Sequence, residues 1–318
     1  MIVVAAAAGL GLLALPALAR VLGRRLPQGW WAALCVAALA AGSALVVLAG
    51  VATSLSSVLR LVGLPRVARA CDAMLGHLIP SGSVVAWGVL GVSASVLLIA
   101  AHSLHRWRCI TERSWLEPGV ARRLHRHGAH EVVVLDHSRP RAVSVPGRRG
   151  RPGQVVVTRG LLDSLSPAEL ELVCAHEAAH LRLGHGRYLA LATAVERAMW
   201  FWPPAKASCR ALRLALERWA DETAAGEDPV ARARLRGALL AVAVESAEPT
   251  LAAFSALDGL AERLSAMSEP TGASVPALWW PVLLVPGLVL GVISAFALAH
   301  LGQGAYCALS MPHSCTLG

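Results

Sequence analysis

The sequence predicts a mainly α-helical, multi-span membrane protein carrying an α+β domain on the cytoplasmic side of the bilayer. Three observations carry this reading. Of 318 residues, 56% are hydrophobic and mean hydropathy is +0.57, too apolar for one soluble domain of that length. The apolar residues gather into long runs, three in the first third of the chain and one near its end. Of 29 Lys and Arg, 23 lie between His105 and Ser274, six precede that block and none follows it. Basic residues beside spans mark the cytoplasmic side, so the block is expected inside.

In chain order, Ile2 to Ala19 is an apolar run with its basic residues, Arg20, Arg24 and Arg25, behind it. A cleaved secretory signal carries its positive charge first, so this run is expected to stay as a span with its N-terminus outside. Trp30 to Val51 is the second span, with Trp30 and Trp31 in the position of an interfacial aromatic belt. Thr53 to Ser83 mixes an amphipathic piece, Leu55 to Leu75, with Arg60, Arg66 and Arg69, and reads as a surface helix and loop. Val84 to His102 is the third span, and Leu278 to Ala299 the fourth. The expected division is therefore 1–104 (three spans), 105–274 (cytoplasmic domain), 275–300 (fourth span) and 301–318 (outer tail). The net charge of +9 orients the chain and attracts it to the membrane surface; no nucleic-acid-binding motif accompanies it. Cys109, Cys174 and Cys209 have no paired spacing and are expected as reduced thiols, whereas Cys307 and Cys315 either close a small loop or remain two thiols.

Within the cytoplasmic block, Trp115 to His127 is expected as a short basic helix. Glu131 to Asp136 and Gln154 to Thr158 read as strands, with a further strand and a turn-rich loop between Arg139 and Gly153. The next stretch organises the rest. Ser166 is an N-cap, Pro167 suits the first helical position, and Glu169 completes a capping box. Inside the helix that follows is His176-Glu177-Ala178-Ala179-His180. Four residues is just over one turn, so the two imidazoles share a face and can reach one zinc ion. Glu177, about 100° round the helix, is placed to take a proton from water without ligating the metal. A catalytic zinc needs a third protein ligand, and Glu217 is the candidate, in a helix expected over Ala205 to Ala225 after the breaker Pro203-Pro204. Asp221, one turn on, shares its face and can hold a ligating imidazole from behind. His185, five residues after His180, points off that face in a continuous helix and is read as structural or solvent-facing. Tyr188 to Trp202 is short for a span and reads as part of a helical hairpin dipping into the inner membrane surface. Helices are expected from Asp228-Pro229 to Val244 and from Leu251 to Met267.

Taken together, Val155 to Leu170, His176 to His180 and Glu217 to Asp221 resemble the membrane metallopeptidases of the BlaR/MecR antirepressor family. They are also similar to the related HtpX and CAAX prenyl protease family. The resemblance covers about residues 130 to 270, including Leu260-Ala261-Glu262-Arg263-Leu264. It implies a gluzincin-type zinc peptidase domain in the cell membrane, with one Zn2+ held by His176, His180 and Glu217, Glu177 as base and Asp221 as a supporting residue. It implies a protein or peptide substrate: a transcriptional repressor cut during transmembrane signalling, or damaged membrane proteins cleared in quality control. An edge of the small sheet would then receive the substrate as an added strand. A fused penicillin-binding sensor, which antirepressor receptors carry after their last span, is not expected in a sequence ending at Gly318. An oxyanion donor is also implied, with Tyr188 the nearest in sequence. The rival reading, a non-catalytic metal-binding receptor, leaves Glu177 without a duty.

Overall fold

The structure, a computed structural model, describes residues 2–23, 25–75, 84–113, 122–127, 130–147, 152–246 and 251–268. Contacts divide the chain into two compact units, 1–15 with 38–99 and 274–318, and 16–37 with 100–273.

In the first unit, helix α1 (Ile2–Leu18) crosses helix α3 (Gln28–Leu61) through glycines; a short α2 (Arg20–Gly23) lies between them in sequence. A side chain at Gly9 would come within 2.9 Å of the Gly42 carbonyl oxygen, and one at Gly42 within 2.8 Å of that of Gly9. Such close backbone approach through small residues is how apolar helices pair where packing alone must hold them. Among the described residues, Gln28–Leu61 is the helix long and apolar enough to cross a membrane, and Ala5–Leu18 is a shorter apolar stretch.

The helix that holds the expected second span, Trp30 to Val51, runs on past it. Thr53 donates to the Ala49 carbonyl at 2.6 Å and Ser54 to that of Gly50 at 3.0 Å, so the first polar side chains are satisfied inside the helix and do not end it. At about 1.5 Å per residue its 34 residues extend about 51 Å, beyond a hydrocarbon layer of about 30 Å. The break comes at Gly63 (φ 80°), after which α4 (Pro65–Leu75) follows. The amphipathic piece expected from Leu55 is thus the end of α3 plus α4. The expected third span lies in α5 (Val84–Arg113), which runs on unbroken through Arg106 and Arg108. The expected fourth span and the tail with Cys307 and Cys315 lie outside the described residues.

In the second unit a four-stranded sheet has the order β1-β2-β4-β3: β1 (Arg122–His127), β2 (His130–Leu135), β3 (Ala142–Val145) and β4 (Gln154–Thr158). Strand β2 pairs parallel with β4 and antiparallel with β1; β3 pairs antiparallel with β4. The basic helix expected over Trp115 to His127 is a misreading where described: Arg122–His127 is an edge strand with a bulge between Arg123 and His125. The valine run of β2 needs a partner on that side, and pairing overrides local preference. Cationic residues on an outer strand also discourage further pairing.

Every residue of β4 is buried. Val132, Val134, Val155 and Val157 form one core with Leu161 of α6 (Arg159–Ser164), Val173, Cys174 and Ala178 of α7 (Pro167–Arg182), and Leu235 and Ala238 of α10 (Pro229–Ser246). Helices α8 (His185–Ala198), α9 (Pro203–Ala225) and α11 (Leu251–Ser268) complete the unit, and α9 packs along α7.

Candidate metal centre

The capping box fixes where α7 begins. The Glu169 N–H donates to Ser166 Oγ at 3.4 Å, and the Ser166 N–H donates to Glu169 Oε2 at 2.9 Å. From that start both histidines fall on the face turned toward α9, buried to 5% and 8% exposure. Their Nε2 atoms stand 3.1 Å apart. Glu217, on α9, brings Oε2 to 3.5 Å from His176 Nε2 and Oε1 to 3.6 Å from His180 Nε2. The three residues are the group of possible metal donors among the described residues, with ligand atoms all within 4.8 Å.

These spacings fit a tetrahedral zinc ion. With zinc–nitrogen bonds of about 2.05 Å, neighbouring donors of a tetrahedron lie about 3.3 Å apart. The chemistry of the set, two imidazoles and a carboxylate, is that of a zinc site with an open position. Glu217 is also 34% exposed at its side chain, so the donors open to solvent on its side.

Behind the donors the groups are buried and paired. His176 Nδ1 faces Asp221 Oδ1 at 2.9 Å, within hydrogen-bonding distance although the N–H direction is not aligned with it. Arg263, on α11, grips Asp221 with both edges of its guanidinium: Nε–H donates to Oδ2 at 2.8 Å and an Nη2–H to Oδ1 at 2.7 Å. Its Nη1 reaches Glu217 Oε2 at 3.0 Å. One cation thereby serves the carboxylate that ligates and the carboxylate that orients.

Burial opposes charge at each of these groups, and pairing decides the outcome. It would lower the His176 pKa, but Asp221 and Glu217 beside it raise it to about 9. It would raise Glu217, yet His176 and the Arg263 charge bring it down to about 2. Asp221 is lowered by His176 and Arg263 against the same penalty. For His180, burial prevails and its pKa falls. Glu177, next to His176 in sequence, is half-buried. Cys174 lies in the apolar core of the sheet and helices, apart from the donor group.

His176, His180, Glu217 and Asp221 thus come together as the spacing anticipates, with Glu177 beside them. Tyr188, the nearest oxyanion donor in sequence, has its ring 5.9 Å from the Arg187 guanidinium. Two residues at the site had no role in the sequence. Arg263 sits 42 residues beyond Asp221, in the Leu260 to Leu264 segment, where no local spacing ties it to the site. His185 is fully buried with Nδ1 2.9 Å from His180 Nδ1, which corrects the solvent-facing alternative. No curated protein and no solved structure matches the chain. Residues 116–217, about a third of the chain, match the model of peptidase family M48, in a segment that ends on Glu217 itself.

Proposed function

We propose that the chain is an integral-membrane zinc endopeptidase that cleaves a protein substrate on the cytoplasmic side. The observation that carries this reading is the convergence of His176 Nε2, His180 Nε2 and Glu217 at tetrahedral spacing, with Glu177 adjacent. The match to peptidase family M48 supports it from sequence. Zinc in such a site supplies Lewis acidity, polarising the scissile carbonyl and making water easier to deprotonate. Glu177 takes the proton of the attacking water and returns it to the leaving amine. Asp221 holds the His176 ring, and Arg263 holds both carboxylates in place.

Of the two outer strands, β3 is the one proposed to receive an extended substrate. It packs along α7, Val143 is exposed, and the opposite edge, β1, is dominated by arginine and histidine. Main-chain pairing would hold the peptide with little demand on its side chains.

The membrane placement draws support from α9. The Ala17 N–H donates to Ser208 Oγ at 3.1 Å, and Gly29, at the start of α3, lies against the Trp219 indole. Ala17 and Gly29, both in the second unit, thus pack on the helix that carries Glu217. At its start are Trp200 and Phe201, 67% and 40% exposed and edge-to-face at 6.0 Å, suited to the headgroup boundary.

The test compares proteomes of cells expressing wild type or Glu177→Gln at equal zinc content. Loss of the base is expected to lower cleavage at least about 100-fold. A single regulator-like protein cut only with wild type identifies a signalling protease; broad loss of damaged membrane proteins identifies quality control. Identical proteomes, with the cellular response intact in the variant, refute catalysis and leave a metal-binding receptor.

A further inference from the structure

We propose that His185 is a positioning residue for the metal centre: it accepts the Nδ1 proton of His180 and so fixes that ring with its Nε2 lone pair toward the metal. The inference rests on the zinc reading above. Two imidazole nitrogens 2.9 Å apart, as His180 Nδ1 and His185 Nδ1 are, must share one hydrogen. The opposite nitrogen of His180 belongs to the donor set and needs a free lone pair to ligate. A neutral His180 therefore carries its proton on Nδ1 and donates it. His185 Nδ1 is then the acceptor, and its own proton sits on Nε2.

That assignment accounts for a feature the fold alone does not. His185 is 0% exposed, and its Nε2 is buried with no hydrogen-bond partner. A hydrocarbon of similar size would fill this space without an orphaned donor. An imidazole is needed where an acceptor must stand at the Nδ1 position.

The backbone provides the geometry. Continued as one helix, position 185 would lie about 140° round from position 180. Instead α7 stops, Gly184 takes a left-handed conformation (φ 67°), and α8 opens with His185. The turn brings the ring beneath His180, edge-on with centroids 4.8 Å apart. On its far side Trp219, two residues from Glu217 on α9, packs against it at 5.1 Å and fixes its tilt. Each ligating ring thus has a group standing behind its Nδ1 at 2.9 Å, Asp221 for His176 and His185 for His180.

The test uses the full chain in detergent and measures Zn2+ affinity by competition with a chelator, for wild type, His185→Leu, His185→Asn and His185→Gln. Loss of a group that orients a ligating histidine typically weakens metal binding about 10- to 100-fold, which is the expectation for Leu. Asn sets an amide oxygen near the position of Nδ1 and is expected to stay within about threefold of wild type, whereas Gln places it near Nε2 and should behave like Leu. Should the Leu variant fail to fold, the contrast between Asn and Gln decides alone. Equal affinity in Asn and Gln, or wild-type affinity in a folded Leu variant, overturns the proposal. Absence of Zn2+ binding by wild type overturns the metal reading beneath it, whereas lack of proteolysis with zinc bound refutes only the peptidase reading.

Discussion

Replacing Arg263 with methionine tests whether the centre is assembled by its buried ion network. Three charge-assisted contacts disappear, at 2.7, 2.8 and 3.0 Å. Taken singly, such bonds contribute about 1.5–3 kcal/mol each, but the three do not add. Glu217 is 34% exposed and regains water when the guanidinium leaves, while Asp221, at 5%, is left as a buried carboxylate without its cation. The loss is therefore that of one broken buried pair, about 3–5 kcal/mol. For a unit of this size it lowers Tm by roughly 6–20 °C. The assay is thermal unfolding of the chelator-treated full chain at one scan rate, because zinc would supply Glu217 with a replacement cation. Arg263→Lys keeps charge without the planar fork and should fall between wild type and methionine. Adding Asp221→Leu to Arg263→Met should cost less than the two single changes together, since no carboxylate is stranded. A methionine variant melting within about 2 °C of wild type would refute the reasoning.

Three further outcomes follow from individual residues. Gly184→Ala forces a side chain into the left-handed region, at about 1–2 kcal/mol, and should lower Tm by about 2–8 °C while weakening Zn2+ binding; unchanged values would mean the turn does not position His185. In chelator-treated protein the His176 pKa is raised to about 9 from 6.5, so its stabilisation is complete below about 6.5 and lost as pH rises through about 9. Glu217, brought down to about 2, loses its contribution only in acid and does not mask this. Tm should thus fall between pH 6.5 and 9.5 in wild type and less so in His176→Asn; parallel curves would exclude His176 as the cause. Trp200, exposed at the α8–α9 turn, should be quenched by brominated lipid in reconstituted protein, with the quenchable emission reduced in Trp200→Phe at unchanged Tm; equal quenching in both would place the turn in water.

Local signals were legible because they depend on near neighbours. The capping box predicts the start of α7 and is formed as expected, and Asp228-Pro229 opens α10, with the Val230 N–H donating to Asp228 Oδ1 at 2.9 Å. Spacing by one turn puts His176 with His180, and Glu217 with Asp221, on shared faces in any α-helix. What failed depends on distant partners. Arg122–His127 has no strand signal of its own and is a strand because β2 lies beside it. The run of α3 past Val51 is hidden in the sequence because Thr53 and Ser54 look like a polar boundary until their hydroxyls are seen to bond within the helix.

His185 shows why a metal centre is harder to read than its ligands. Angular position round a helix is a sound rule for residues in one helix, and by that rule position 185 is excluded. The rule lapses at Gly184, whose positive φ starts a new helix axis. Nothing within five residues says that the new axis returns the ring to His180; that is decided by Trp219, from α9. Trp219 is itself placed by Gly29, where any side chain would meet the indole at 3.0 Å. A contiguous line of packing therefore runs from the base of α3 through Trp219 and His185 to a metal-donor ring. The ligands follow from spacing alone, but what holds them follows from the meeting of three segments, at Gly29, His185 and Trp219, that span 190 residues of sequence.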